Sequence, residues 1–504
     1  MIQNTNLSTE LEEWRAKLEA WAKEYGLDFY ETIFEVLDWN QINMVAAYSG
    51  FPNRYPHWRF GMEYEQLAKS YSYGLSKIYE MVINNDPCYA YLLHSNNLVD
   101  QKMVMAHVFA HCDFFKNNIF FGPTPRNMMD QMANHKTRVQ RYIDNIGYDK
   151  VESFIDTCLS IENLIDYQRP FFKQPAVEPK QDDDDRSVQE ERGVHKLKVE
   201  KDYLETYINP KAFIDLQKQR IEEDRKKEER FPLHPERDVM GFLLEHAPLS
   251  RWEYDVLHIV RNEAYYFAPQ AQTKIMNEGW ASYWHSKIMT EKALLDSELI
   301  DFADHHSGTM AMSAQSLNPY KIGIELIRNI EDRWNKGQFG KEYDECDDMV
   351  VRKNWDKQLG LGRQKIFEVR KIYNDIMFLD EFLTPEFCRE YKLFAFTFNP
   401  LSNRYEISDR DFAVVKQRLL AALTNFGQPI IAIVDANHDN RGELKLRHEH
   451  EGVDLDIQYA RETLQNIFKI WKRPVLIETK FNNGKKIFQY DGNEHKILES
   501  KEGI

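Results

Sequence analysis

Cysteine is scarce in this chain: 5 of 504 residues, at positions 88, 112, 158, 346 and 388. The number is odd, the spacing is wide and no Cys-x-x-Cys pair occurs, which excludes a cysteine zinc ribbon and a dithiol redox motif and fits a reducing compartment. Long apolar runs are missing too. The opening Met-Ile-Gln-Asn-Thr-Asn-Leu-Ser-Thr-Glu has neither the basic start nor the apolar run of a signal peptide, and no stretch approaches the length of a membrane span. A cytoplasmic protein without a membrane span is expected. Basic residues are outnumbered, 65 Lys plus Arg against 81 Asp plus Glu, for a formal net charge of −16. A general binder of nucleic-acid phosphates needs the opposite balance, and basic runs such as Arg225 to Lys227 are interleaved with acids. Gly-x-Gly-x-x-Gly and phosphate-loop patterns are absent, which counts against a nucleotide cofactor, and no fixed-period repeat points to a solenoid.

What is present is core-forming material. With 42% hydrophobic and 13% aromatic side chains, the chain can fill two or three packed domains. Thr9 followed by Glu12 reads as a capping box, after which Leu11, Trp14, Leu18, Trp21 and Tyr25 recur at helical spacing until Gly26. Further helices are expected at about 29–48, 62–84, 100–118 and 128–166, broken by Gly50, Pro52, Pro56, Pro123 and Pro125.

Between Pro175 and Phe231 the composition turns to charged blocks, including Asp182 to Asp185, and reads as an exposed linker or arm. Helical patterning resumes from Pro235 to about Leu379. Beyond Thr384, the runs Leu393 to Phe398, Ile430 to Val434 and Val475 to Thr479 read as strands, and Phe412 to Leu423 and Ile457 to Trp471 as helices. Asn483-Gly484 signals a two-residue hairpin that adds an antiparallel edge at Lys486 to Tyr490. The expected fold is α+β: a helical part at 1–174, a charged arm at 175–231, a second helical part at 232–380 that packs with the first, and a small α/β domain at 381–504.

The chemistry concentrates in Met-Ala-His107-Val-Phe-Ala-His111-Cys-Asp. Histidines four apart project from one helix face and can hold one metal ion, and the apolar surroundings keep both rings neutral, as ligation requires. A pair of core histidines satisfied by hydrogen bonds would look the same in sequence. The segment Asn277-Glu278-Gly279-Trp280-Ala281-Ser282-Tyr283-Trp284-His285 offers a carboxylate and a third imidazole. Seven residues apart on a helix means about 10.5 Å of rise, so Glu278 and His285 do not share an ion comfortably. His107, His111 and Glu278 together would form a two-histidine, one-carboxylate site for zinc or another divalent metal, with an open position for water.

His285, His305 and His306 are further candidates. His57, His246 and His258 lie in the same helical region, each read first as a packing residue. His448-Glu449-His450-Glu451 reads as a surface alternation on a strand. Asp435-Ala-Asn437-His438-Asp439-Asn440-Arg-Gly reads as a tight turn.

The His107, His111, Glu278 pattern is similar to helical zinc peptidases of the His-Glu-x-x-His type, whose third ligand is a Glu on a later helix, sometimes in a Glu-Gly-Trp-Ala context. It departs from them at Val108, where the water-activating Glu would stand. Glu263 and Asp113 are the candidate replacements for that base.

Longer strings carry a second resemblance. Tyr55-Pro-His-Trp-Arg-Phe-Gly-Met-Glu-Tyr-Glu, Ala106-His-Val-Phe-Ala-His-Cys-Asp-Phe-Phe-Lys-Asn-Asn, Asn277-Glu-Gly-Trp-Ala-Ser-Tyr-Trp-His, Leu444-Lys-Leu-Arg-His-Glu-His-Glu-Gly-Val-Asp-Leu-Asp and Tyr459-Ala-Arg-Glu-Thr-Leu resemble the stage V sporulation protein R family and span almost the whole chain. The resemblance implies a soluble bacterial protein associated with spore cortex formation, or, in bacteria that do not sporulate, with stress responses involving a partner serine kinase. It names no reaction. Two readings follow: a regulatory or scaffolding protein that binds protein partners and has a metal centre, or a metal-dependent hydrolase acting on peptide or peptidoglycan-precursor bonds.

Overall fold

The computed structural model describes residues 7–72, 81–172, 215, 231–311, 317–400, 402–482 and 484–499. The charged arm expected at 175–231 lies almost wholly outside them. The chain divides into two compact units, one of Met1–Glu152 with Asn262–Gln428, the other of Ser153–Arg261 with Pro429–Ile504. Each takes in helical segments from before and after the arm. The protein is mainly helical with a C-terminal sheet, the α+β class read from the sequence.

In the first unit, α1 (Thr9–Glu24) starts one residue earlier than the Thr9 cap expected: Ser8 is the cap, its hydroxyl accepting from Leu11 N at 3.3 Å. The helix expected at 29–48 is instead β1 (Thr32–Leu37) followed by α2 (Trp39–Ala47). The reason is local. Asp38 and Gln41 form the reciprocal capping box that starts a helix only at Trp39, while Thr-Ile-Phe-Glu-Val-Leu upstream is β-branched and finds a parallel partner.

That partner was not foreseen either. After α3 (Trp58–Ser72) come β2 (Met81–Ile83), at the end of the helix expected to reach residue 84, and β3 (Cys88–Leu93). The sheet order is β1-β3-β2, with Thr32 opposite Cys88 and Leu37 opposite Leu93. The helix expected at 128–166 is two, α5 (Met128–Ile146) and α6 (Tyr148–Leu159), because Gly147 between them takes φ +106°, a value outside any helix.

The centre of this unit is α4 (Leu98–Asn117), in which every residue from Val99 to Phe115 is buried. A helix buried all round must be met by other elements on every side. Following α7 (Val239–His246) and α8 (Arg251–Gln272), those elements include α9 (Lys274–Ile288), α10 (Leu299–Thr309), α11 (Pro319–Lys336) and α12 (Gly362–Ile372). Their apolar residues join those of α4 in one core, which also holds Phe382, Leu383, Phe387, Cys388 and Leu393. Residues 381–428, read from their strand and helix pattern as the start of the C-terminal domain, count with the first unit. They contain the exposed hairpin β4 (Ala395–Asn399) and β5 (Arg404–Asp409) and helix α14 (Phe412–Leu423), which follow the short α13 (Asp375–Phe382).

Helix α9 is held in two ways. It crosses α11 at a pair of glycines so close that a methyl group on Gly323 would lie 2.2 Å from Ile275 O, and one on Gly279 would lie 2.4 Å from the Gly323 backbone. Its N-terminus is capped from a distance: Asp375 accepts from Ile275 N at 2.8 Å and Met276 N at 2.9 Å.

In the second unit, five strands run in the order β10 (His495–Glu499), β9 (Gly484–Tyr490), β8 (Val475–Phe481), β7 (Glu443–Glu449), β6 (Ile430–His438). Only β7 and β8 are parallel, and α15 (Ile457–Trp471) makes the crossover between them. Strand β9 pairs with β8 as the hairpin signal requires. It is not the edge, because β10 adds beyond it. On β6, Ile433 exchanges both backbone hydrogen bonds with Glu236, which covers part of that edge.

Two expectations follow. Gly323→Ala, which has no room without parting α11 from α9, should lower stability by about 1–3 kcal/mol in chemical denaturation. Burial lifts the Asp375 carboxyl to about 7 against the backbone bonds that favour its charge. A group raised in the folded state contributes stability that is complete below its unfolded value and is lost as pH rises through the folded one. Asp375→Asn should therefore gain stability relative to the parent as pH rises from about 4 to about 7, seen as a narrowing or reversing difference in Tm.

Candidate metal centre

Helix α4 presents His107 and His111 one turn apart, and α9 lies across them with Glu278. Glu278 Oε2 is 3.5 Å from His107 Nε2 and 3.6 Å from His111 Nε2, and all three residues are buried. A tetrahedral ion with bonds of about 2.0–2.1 Å spaces its ligand atoms about 3.3 Å apart, close to what is seen. Among the described residues these three form the one group of His, Cys, Asp and Glu whose ligand atoms converge in this way.

The outer nitrogens of both rings are engaged. His111 Nδ1 donates to Asn277 Oδ1 at 2.8 Å, which leaves Nε2 with its lone pair toward Glu278. His107 Nδ1 meets His285 Nδ1 at 2.7 Å, and His285 Nε2 meets His306 Nδ1 at 3.3 Å. Glu278 Oε1 accepts from Lys274, one turn earlier on α9, whereas Oε2 is buried and receives no hydrogen bond among the described residues.

Electrostatics agree with this geometry. Burial works to raise the Glu278 carboxyl, but the facing imidazoles of His107 and His111 and the charge of Lys274 outweigh it and hold the group well below the usual carboxylate range. His285 is pushed well below the ordinary histidine value, first by burial and then by His107 and His306. A carboxylate kept ionised and facing two imidazole nitrogens is the donor set a divalent cation takes. The residues fit the group.

The other candidates lie elsewhere. Asp113, on α4, accepts from Asp28 N at 2.7 Å, Trp280 Nε1 at 2.9 Å and Arg370 at 2.9 Å. Burial raises its carboxyl to about 6 against the opposing charge of Arg370. Glu263 sits in another buried cluster, 2.7 Å from Arg54 and 2.9 Å from His135. His305 bonds to Asp100. His57 Nδ1 accepts from Arg59 N, His246 packs its ring on Phe231 and Phe242, and His258 stacks on Tyr254. In the C-terminal sheet, His448 is buried against Thr479 rather than exposed, and His450 bonds to Asp454. The turn at residues 437–442 closes with Gly442 N donating to Asn437.

Asn277 and Lys274 were not singled out in the sequence. Lys274 was within reach of it, since a Lys four residues before Glu278 is the spacing of a helical ion pair. Asn277 had no comparable signal, because its partner is on another helix.

A mainly helical α+β protein with a buried two-histidine, one-carboxylate cluster between its central helices is the class that fold and site define. The chain belongs to the SpoVR-like family: the model of the SpoVR like protein matches residues 5–428 and that of the SpoVR-like C-terminal domain matches 429–482. The junction of the two coincides with the boundary between Gln428 and Pro429 in the fold. The chain is 29% identical over 500 residues to the uncharacterized protein YcgB of Escherichia coli strain K12, covering 94% of this chain and 92% of that one. No solved structure matches it significantly. Among the described residues, no helix is long and apolar enough to cross a membrane.

The ion pair of Asp113 with Arg370 is buried on both sides and ties α4 to α12. Arg370→Met should cost about 3–5 kcal/mol in chemical denaturation, since it strands a buried carboxylate.

Proposed function

We propose that this SpoVR-like chain is a metalloprotein that holds one divalent cation, zinc by donor type, on His107 Nε2, His111 Nε2 and Glu278 Oε2. The observation that carries the reading is Glu278 Oε2, a buried carboxylate oxygen with no hydrogen-bond donor among the described residues, facing two imidazole nitrogens at 3.5 and 3.6 Å. Asn277 orients the His111 ring, and Lys274 occupies the second carboxylate oxygen so that the first is directed inward. A bound zinc ion would supply Lewis acidity and an additional coordination position.

The work of the centre is regulatory or scaffolding in this reading, in the cytosol, serving spore cortex formation or a stress response through protein partners such as a serine kinase. Support comes from the family and from the environment of the site. Val108 follows His107 where a hydrolase of the resembling type carries its base, and an isopropyl group moves no proton. Asp113 and Glu263 are each committed to buried arginines, at 2.9 and 2.7 Å. The hydrolytic alternative gains nothing from these positions.

Elemental analysis of protein prepared without chelator tests the centre. The parent should carry about one equivalent of divalent metal per chain, and the double variant His107→Ala, His111→Ala should carry none while keeping a cooperative thermal transition. A parent free of stoichiometric metal would end the proposal.

A further inference from the structure

Three imidazoles lie in series behind the proposed cation position. His107 Nε2 faces Glu278, its Nδ1 meets His285 Nδ1 at 2.7 Å, and His285 Nε2 meets His306 Nδ1 at 3.3 Å. His285 is buried, on α9. His306 is half-buried, on α10, and stacks on Phe302. The series runs from the core toward the surface through three different helices.

A neutral imidazole has one N–H and one lone pair, so each ring in such a series fixes the tautomer of the next. Two arrangements satisfy every link. In the first, His107 carries its proton on Nε2, toward Glu278, and accepts at Nδ1 from His285. His285 then accepts at Nε2 from His306 Nδ1–H. In the second, His107 presents its Nε2 lone pair to a cation and carries its proton on Nδ1. It donates to His285 Nδ1, and His285 must donate from Nε2 to His306 Nδ1, which leaves the His306 proton on Nε2.

We propose that His285 and His306 form a tautomer relay: His107 at the metal centre, by changing which nitrogen holds its proton, reverses the hydrogen bonds of the whole series and reports its ligation state at His306. The inference rests on the metal reading above and adds a route by which the centre communicates with the protein surface. The exchange balances. His107 gives up the Nε2 proton to solvent and takes one at Nδ1 from His285. His285 takes one at Nε2 from His306, and His306 takes one at Nε2 from water. Each ring starts and ends neutral, so no ring changes its charge between the two states. Within the relay His285 is a positioning residue for His107.

The test is zinc titration of the full chain labelled with ¹⁵N-histidine, read by long-range ¹H–¹⁵N correlation, which distinguishes Nδ1–H from Nε2–H rings. The expected result is a His306 signal that changes from Nδ1–H to Nε2–H with one equivalent of zinc. In His285→Phe the His306 tautomer should no longer respond, and zinc affinity should fall by about 10–100-fold, as loss of an orienting partner does. His495→Ala, on a strand of the C-terminal sheet and outside the relay, should match the parent in both measurements. Zinc bound stoichiometrically with an unchanged His306 tautomer would overturn the relay and leave the metal centre standing. Failure to bind zinc at all would overturn both. Should His285→Phe not fold, the titration of the parent protein still decides.

Discussion

A helix buried on every side has no solvent to receive its polar side chains, so each one must find a partner within the protein or leave an unmet hydrogen bond that costs about 1–3 kcal/mol. Helix α4 is in this position from Val99 to Phe115, and it carries Asp100, Gln101, Lys102, His107, His111 and Asp113 inside that stretch. Asp100 takes His305, and Gln101 donates to Leu93 O. Lys102 reaches Glu298 and Ala293 O, and its ammonium lies over the Trp14 ring. Asp113 takes Arg370, Trp280 and the Asp28 backbone. The two histidines take Glu278, Asn277 and His285. Helices α9, α10 and α12 are thus placed by polar demands as well as by apolar area.

At the candidate metal centre one of those demands stays open, since Glu278 Oε2 has no hydrogen-bond donor among the described residues. Asp113 and Glu278 are both buried carboxylates, yet burial wins at Asp113, raising it to about 6, while at Glu278 the two imidazoles and Lys274 prevail. The difference lies in the partners. Asp113 has a donor on each oxygen, including a permanent cation, and forms a finished clamp. Glu278 Oε2 has only two ring nitrogens at hydrogen-bond-lengthened distances. Their separation is set by the glycine crossing of α9 on α11, because Gly279 adjoins Glu278 and cannot move outward without breaking contact with Gly323.

Where local pattern decides the outcome, the sequence was readable to the residue: Phe412–Leu423 and Ile457–Trp471 are helices with those bounds. Strands β1 and β3 were missed because they are short, lie in an otherwise helical region and form a parallel pair whose partners are 56 positions apart, Thr32 with Cys88. The site divides in the same way. His107 and His111 share a helix face, and that is a matter of spacing. That Glu278 rather than His285 meets Nε2 depends on how α9 crosses α4, which no spacing along either helix states. The separation of seven did indicate that Glu278 and His285 would serve different atoms, and they meet opposite nitrogens of the same ring.

The clamp between Asp113 and Arg370 also says something about how the chain must be made. The two residues are 257 positions apart. At a synthesis rate of about 5–20 residues per second, α4 leaves the ribosome on the order of 10–50 s before Arg370 exists. For that interval a helix destined for burial on every side has neither its core nor its counterions.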